Sequence, residues 1–275
     1  MATRTFPVPV SKSYQLRTIV FSHGWYDLPP FHWDDDARVL GWVGRPDGSP
    51  QSFAVRQPRA GELSATVEAA GRWDSRRREA AAGHVRRVLG CEFDASPFFR
   101  RAGREYAWAK RIGAGPLLRG ASVYEDAVKM LATTNCSWSL TRQMIQRLID
   151  ALGEPAPDGR KAFPTPAAMA DQSASFYRDV IRAGYRSEYF RDFARRTAEG
   201  VVDPESWDSF EGSTAELLKV ITGLRGFGRY AAENLCRLLG RFDGLALDSW
   251  CVKKIAQARP ELTGDPVGSM RKFYS

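Results

Sequence analysis

Residues 213–230 read STAELLKVITGLRGFGRY, and residues 231–250 continue AAENLCRLLGRFDGLALDSW. Leu217, Val220, Ile221 and Leu224 recur at helical spacing, which predicts a helix running up to the glycines. Gly223, Gly226 and Gly228 interrupt it, and glycine suits a sharp reversal with unusual backbone angles. A second helix restarts at once, with Ala231, Leu235, Leu238 and Leu239 as its apolar stripe. Two helices joined by so short a turn are tight neighbours.

The turn leaves unpaired backbone N–H groups at the start of the second helix, where the helix dipole favours negative charge. Glycine lets an anion approach them closely, and Arg225 and Arg229 flank the place. A nucleic-acid phosphate suits such a hairpin; an ordinary helical hairpin with a glycine turn suits the same residues. After the second helix come Gly240 to Gly244, the apolar Leu245, Ala246 and Leu247, and then Asp248. An Asp that closes an apolar run and opens a helix carrying Val252, Ile255 and Ala256 is, in isolation, an N-cap.

Leu224-x-Gly226-Phe227-Gly228-x-x-Ala231, followed by an apolar run ending in Asp248, resembles the hairpin and catalytic aspartate of the helix-hairpin-helix DNA glycosylase superfamily. The resemblance implies that Asp248 is catalytic and that Leu224, Arg225, Gly226, Phe227, Gly228 and Arg229 contact DNA. It also implies a monovalent cation, sodium or potassium, at the turn's backbone. The proline that usually precedes the first hairpin glycine is replaced by Arg225. Members that also nick the backbone carry a Schiff-base lysine eighteen residues before the aspartate, and that place holds Tyr230. A phenol forms no imine, so a monofunctional enzyme without lyase activity is expected, with Tyr230 lining the base pocket or packing on its helix.

With 275 residues, the chain is long enough for two or three compact units and a buried core. A net charge of +8 suits a polyanionic partner, and the basic residues are mostly arginine, the better partner for phosphates and base edges. Cys91, Cys136, Cys236 and Cys251 are scattered, so neither a zinc site nor an iron–sulfur cluster is expected. Free thiols fit a reducing compartment. No stretch suggests a membrane span or a signal core, so a cytoplasmic, nucleoid-associated monomer is expected. His23, His32 and His84 are isolated, with no metal spacing, nucleophile elbow or phosphate loop around them.

Residues 14–70 read as strands. Tyr14 to Phe21, Val39 to Val43, Phe53 to Arg56 and Leu63 to Glu68 are β-rich and separated by Pro/Asp/Gly turns, which predicts an antiparallel sheet. A helix near 75–90 would cover it with Ala81, Val85, Val88 and Leu89. Between the first two strands lies an aromatic, proline-stiffened loop containing Trp25, Phe31 and Trp33, which lines a pocket for a flat ligand or plugs an interface. Pro29 to Trp33 resembles the alkylation-repair branch of the superfamily, which opens with a similar sheet. Leu28 holds the place of the glycine that reads the base in the 8-oxoguanine branch, against that readout.

From about residue 96 the periodicity is helical: Val123 to Cys136, then Leu140 to Leu152, with Thr165 capping the next helix. These helices, Ala162 to Pro166 and Gly184 to Arg186 also resemble the glycosylase helical domain. Residues 134–142 join the two helices where relatives fill the gap left by an extruded base. The resemblance makes Ser137 and Trp138 candidate wedges and Arg142 a contact to the orphaned base; Trp138 equally suits a core position. The family continues with further helices past the position of Met270, so the far wall of the cleft is expected to be reduced or to lie in a longer chain.

The expected fold is α+β, with residues 1–98 a sheet domain and residues 99–275 helical, the hairpin at 213–240 and the catalytic segment at 241–250. The expected function is excision of a base from double-stranded DNA, with an alkylated purine first. An oxidised, deaminated or mismatched base is the alternative, and a non-catalytic hairpin DNA-binding protein is the alternative of another class.

Overall fold

The computed structural model describes residues 2–247, 249–258, 260, 265 and 268; for Glu105, Ser249, Trp250, Ile255 and Ala258 it describes only the backbone. The chain opens with β1 (Ala2–Pro9), α1 (Leu16–Val20), β2 (His32–Asp34), β3 (Val39–Gly44), β4 (Gln51–Arg59) and β5 (Glu62–Ala69). They form one antiparallel five-stranded sheet in the order β1-β5-β4-β3-β2. Leu63, Ala65, Val67 and Ala69 of β5 point inward on alternate positions, as the strand period demands. Trp42 of β3 stacks on Phe53 of β4 with ring centroids 5.0 Å apart. Helix α2 (Ser75–Val88) covers this face, capped by Asp74, whose carboxylate accepts from the Arg77 amide. Ala81, Val85 and Val88, with Leu89 just past its end, are buried as the periodicity predicts, and so are Ala82 and His84.

Two N-terminal elements differ from the sequence reading. Residues 16–20 form a helix rather than a strand, because Leu16, Ile19 and Val20 stand at i, i+3 and i+4 and all three are buried. The Gln57 side chain fixes its start, accepting from the Leu16 amide and donating to the Tyr14 carbonyl, both at 2.8 Å. The first strand is instead Ala2–Pro9. Its Pro7 and Pro9 are tolerated because β1 is an edge strand, while Phe6 and Val8 point inward.

The rest is helical: α3 (Ser96–Arg101), α4 (Ala107–Arg111), α5 (Val123–Thr133), α6 (Trp138–Leu152), α7 (Pro166–Ala170), α8 (Ser187–Ala198), α9 (Thr214–Thr222), α10 (Arg229–Leu238) and α11 (Ser249–Ala258). Ser122, Ser137, Thr165 and Ser213 cap α5, α6, α7 and α9, and Ser213 with Glu216 completes a capping box. One continuous apolar core runs from Phe6 in the sheet to Leu238 in α10. Asp208 ties sheet and helices together, accepting from Arg87 of α2 at 3.1 Å and Arg119 at 2.6 Å. Burial raises the Asp208 carboxyl, but the two guanidiniums outweigh it and hold the group below the usual carboxylate range.

Candidate nucleic-acid interface and base cavity

Helices α9 and α10 pack side by side through Leu217, Ile221, Ala231 and Leu235, all buried. The turn between them uses glycine more selectively than the sequence suggests. Gly226 has φ +91°, and a Cβ there would lie 2.7 Å from the Tyr189 ring. Gly223 is helical at φ −69°, so no left-handed conformation accounts for it. Gly228 has φ −77° and caps α10 without a side-chain hydrogen bond. A Cβ on Gly228 would meet nothing within 4 Å, so the first amides of α10 face open space.

Within the hairpin the predicted contact residues separate. Arg225 is exposed and lies over the Tyr189 ring at 5.6 Å. Arg229 is exposed as well, and its Nε donates to Glu233 one turn on, at 2.7 Å. Leu224 is half-buried. Phe227, expected at the DNA surface, is buried and edge-on to Phe193 at 5.1 Å, so it holds the turn from beneath. Val220, expected in the apolar stripe, is 46% exposed because its helix presents that side to solvent. A groove over the turn is lined by Asn135, Tyr185, Tyr189, Gly226, Gly228 and Tyr230, among others.

Beside this groove opens a cavity of about 880 Å³. Tyr230 and Asn135 line both. Its walls come from Leu117 and three distant stretches: His23 to Trp25; residues between Met130 and Thr141, with Trp138; and residues between Tyr230 and Leu247. Trp25 is buried, its indole N–H donating to Asp126 at 2.7 Å. Behind Trp25, Lys129 is fully buried, paired with Glu125 and 6.0 Å from the Trp25 ring. His23 donates from Nε2 to the Leu118 carbonyl at 2.6 Å. Burial pushes its pKa down to about 4, so the ring is neutral at pH 7.

Phe31 and Trp33, expected in the base pocket, do not line the cavity. Phe31 is buried beneath Lys129, 4.8 Å from its ammonium, and near Trp42. Trp33 donates to Asp35 at 3.0 Å and stands edge-on to Phe21. The aromatic loop therefore both lines and plugs: Trp25 faces the cavity while Leu28 and Phe31 fill the core. Trp138 is 38% exposed at the cavity wall, and its indole N–H donates to Asp27 at 2.7 Å. Arg142 reaches the same carboxylate at 3.5 Å. Ser137 is exposed, and its hydroxyl is engaged as the α6 cap.

Asp248 lies outside the described residues; its predecessor Leu247 lines the cavity. Thr133, Asn135, Cys136, Thr141, Asn234 and Arg237 also line it, and the sequence reading did not single them out. The signal for Asn234 and Arg237 was present, since they stand four and seven residues after Tyr230 on one helix and so share its face. Among the described residues, no group of three His, Cys, Asp or Glu side chains is placed to hold a metal ion, and no helix is long and apolar enough to cross a membrane. Burial raises the Cys91 thiol to about 12 and the Cys236 thiol to about 11.

This architecture, an antiparallel sheet followed by a helical body carrying the hairpin, is shared with solved structures of DNA glycosylases. No protein-family model matches the sequence and no curated protein matches it, but solved structures do. The structure of MBOgg1 in complex with a low-affinity DNA ligand matches with TM-score 0.74 and 16% identity, over 98% of this chain and 90% of that one. The 3-methyladenine DNA glycosylase of Archaeoglobus fulgidus matches with TM-score 0.68 and 17% identity, over 92% of each chain. The 8-oxoguanine glycosylase/lyase of Clostridium acetobutylicum, bound to double-stranded DNA with cytosine opposite the lesion, matches with TM-score 0.70 and 14% identity, over 95% and 85%.

Proposed function

We propose that this protein is a monofunctional DNA glycosylase, which extrudes a modified base from duplex DNA and hydrolyses its N-glycosidic bond to leave an abasic site. One observation carries this reading: the groove over the hairpin and the cavity of about 880 Å³ share Asn135 and Tyr230. A strand held by phosphate at the open end of α10 lies in a groove that shares wall residues with the cavity. Arg225 supplies further charge there. A base must leave the stack before its sugar bond is accessible, and Trp138, beside the cavity on the joint between α5 and α6, is the side chain suited to fill the space it vacates.

Cleavage builds positive charge at C1′ as the bonding electrons leave with the base. A carboxylate stabilises that centre and orients water, whose oxygen then bonds to C1′ while its proton passes to the carboxylate or solvent. Asp248 is the residue assigned that role. Tyr230, in the place of a Schiff-base lysine, leaves hydrolysis as the chemistry. A monovalent cation at the turn, which the resemblance implies, would be held by backbone carbonyls around Gly226 and Gly228, where no Cβ obstructs its approach. It would add charge for a phosphate.

Duplexes carrying one modified base each, scored for strand cleavage with and without alkali beside Asp248→Asn, test the reading. Cleavage that needs alkali and disappears in the variant is the expected result. Cleavage without alkali, with a borohydride-trapped adduct, overturns the monofunctional assignment. DNA binding without release from any duplex supports a non-catalytic binding protein instead.

A further inference from the structure

The cavity wall carries a specific charge pattern. Its lining among the described residues includes one permanently charged side chain, Arg237, and no carboxylate. His23, the other basic group there, is neutral at pH 7. The nearest buried carboxylates, Glu125 and Asp126, are each about 1% exposed or less and do not line the cavity. Asp126 lies behind Trp25 and accepts from its indole and from the Gly120 amide. Glu125 is paired with Lys129. A ligand in the cavity therefore meets a guanidinium and touches neither carboxylate.

The polar side chains of the wall have largely committed their donors. Thr133 donates to the Met130 carbonyl at 2.7 Å, Thr141 to the Ala132 carbonyl at 3.0 Å, and Asn234 to the Tyr230 carbonyl at 3.0 Å. His23 spends its Nε2 proton on Leu118. Arg237 is different: among the described residues it makes one hydrogen bond, long at 3.5 Å, to the Ala246 carbonyl. A guanidinium has five N–H donors, so this half-buried side chain brings to the cavity its largest uncommitted donor capacity.

Resting on the glycosylase reading, we propose that the cavity accepts an uncharged base presenting carbonyl oxygens, and that Arg237 is the residue that selects it over N-alkylated bases carrying a positive charge. Carbonyl oxygens accept from the guanidinium, whereas a cationic base is repelled by it. The alkylated-purine expectation rested on residues 29–33. The aromatic side chains of that stretch, Phe31 and Trp33, lie away from the cavity.

The test separates binding from turnover. Duplexes carrying 2′-fluoro analogues, which resist cleavage, of hypoxanthine and of 7-methylguanine are bound by wild type, Arg237→Gln and Arg237→Lys. The same lesions without fluorine are assayed for release. Wild type and Arg237→Lys are expected to favour hypoxanthine over the cationic base by at least about tenfold. In Arg237→Gln, with folding verified by its melting transition, the ratio should shrink at least about tenfold. Equal wild-type binding of both duplexes, or a ratio unmoved in Arg237→Gln, overturns the inference. Discrimination in binding with no release from any duplex leaves the inference standing and sinks the glycosylase reading. Failure to bind any duplex sinks both.

Discussion

The indole N–H of Trp138 donates to the carboxylate of Asp27 at 2.7 Å, across 111 residues of sequence. The same ring covers Gly24 so closely that a Cβ there would lie 2.5 Å from it. The aromatic loop and the start of α6 are thus locked face to face at the cavity wall, with Arg142 on the same carboxylate. If Trp138 is the wedge, Trp138→Ala should slow base release at least about tenfold from a fully paired duplex, because unstacking costs a few kcal/mol. The loss should be smaller when the lesion lies opposite an abasic gap. Asp27→Ala should give a milder loss on the paired duplex. Single-turnover rates on the two duplexes decide it, and equal losses on both would remove Trp138 from the role.

Gly226 and Gly228 make opposite predictions although they are two residues apart. Gly226→Ala forces a side chain into φ +91° and against Tyr189, so it should destabilise the fold by about 1–3 kcal/mol in urea titrations. Gly228→Ala adds a methyl to open space at an ordinary φ of −77°, and the unfolding midpoint should barely move. Duplex affinity should nevertheless fall, because the methyl stands before the open amides of α10. An unchanged affinity in Gly228→Ala would count against phosphate docking there.

His23 and His84 set the response to mild acid. Burial lowers the first to about 4 and the second to about 3, whereas both titrate near 6.5 in an unfolded chain. Between these values the unfolded chain binds more protons, so stability falls as the pH falls. The contribution is complete above about pH 6.5 and is lost through about pH 4 for His23 and about pH 3 for His84. His84 Nε2 accepts from the Trp42 indole at 3.2 Å, and a proton on that nitrogen breaks the bond. His84→Gln keeps an acceptor but not the titration. Its stability between pH 7 and pH 5 should be flatter than wild type by up to about 1.4 kcal/mol per pH unit. A slope equal to wild type would refute this.

Lys129 and Glu125 are both fully buried, and burial raises the Glu125 carboxyl. Removing one partner leaves the other buried alone, so Lys129→Met should cost about 3–5 kcal/mol. The double change of Lys129→Met with Glu125→Leu should cost less than Lys129→Met alone. Chemical denaturation of the single and double variants measures the coupling. A double variant as unstable as the sum of the singles would show that the pair is not coupled.

What was legible in the sequence was local. The hairpin, α2, the Thr165 cap of α7, and strands β3 to β5 follow from spacing and turn residues that act within a few positions. Residues 16–20 were misread because Thr18, Ile19 and Val20 favour strands while their burial pattern obeys a helical period. β1 was missed because its prolines are acceptable only at a sheet edge, and edge position is not written in a single strand. Tyr230 and Trp25 line the cavity, whereas Phe31, expected in the base pocket or as part of an interface plug, and Phe227, expected at the DNA, are core. An aromatic residue beside a functional loop suits either place, and which face its loop turns inward depends on partners far along the chain.

The cavity described above has one wall from residues 23–25, a second from the middle of the chain and a third from residues 230–247. Synthesis proceeds from the N-terminus, so residues 230–247 are delivered long after residues 23–25. A growing chain with its sheet and first helices in place therefore has neither the hairpin nor an enclosed cavity. The cavity is complete only once residues 230–247 have been made, and a chain ending before them lacks that wall.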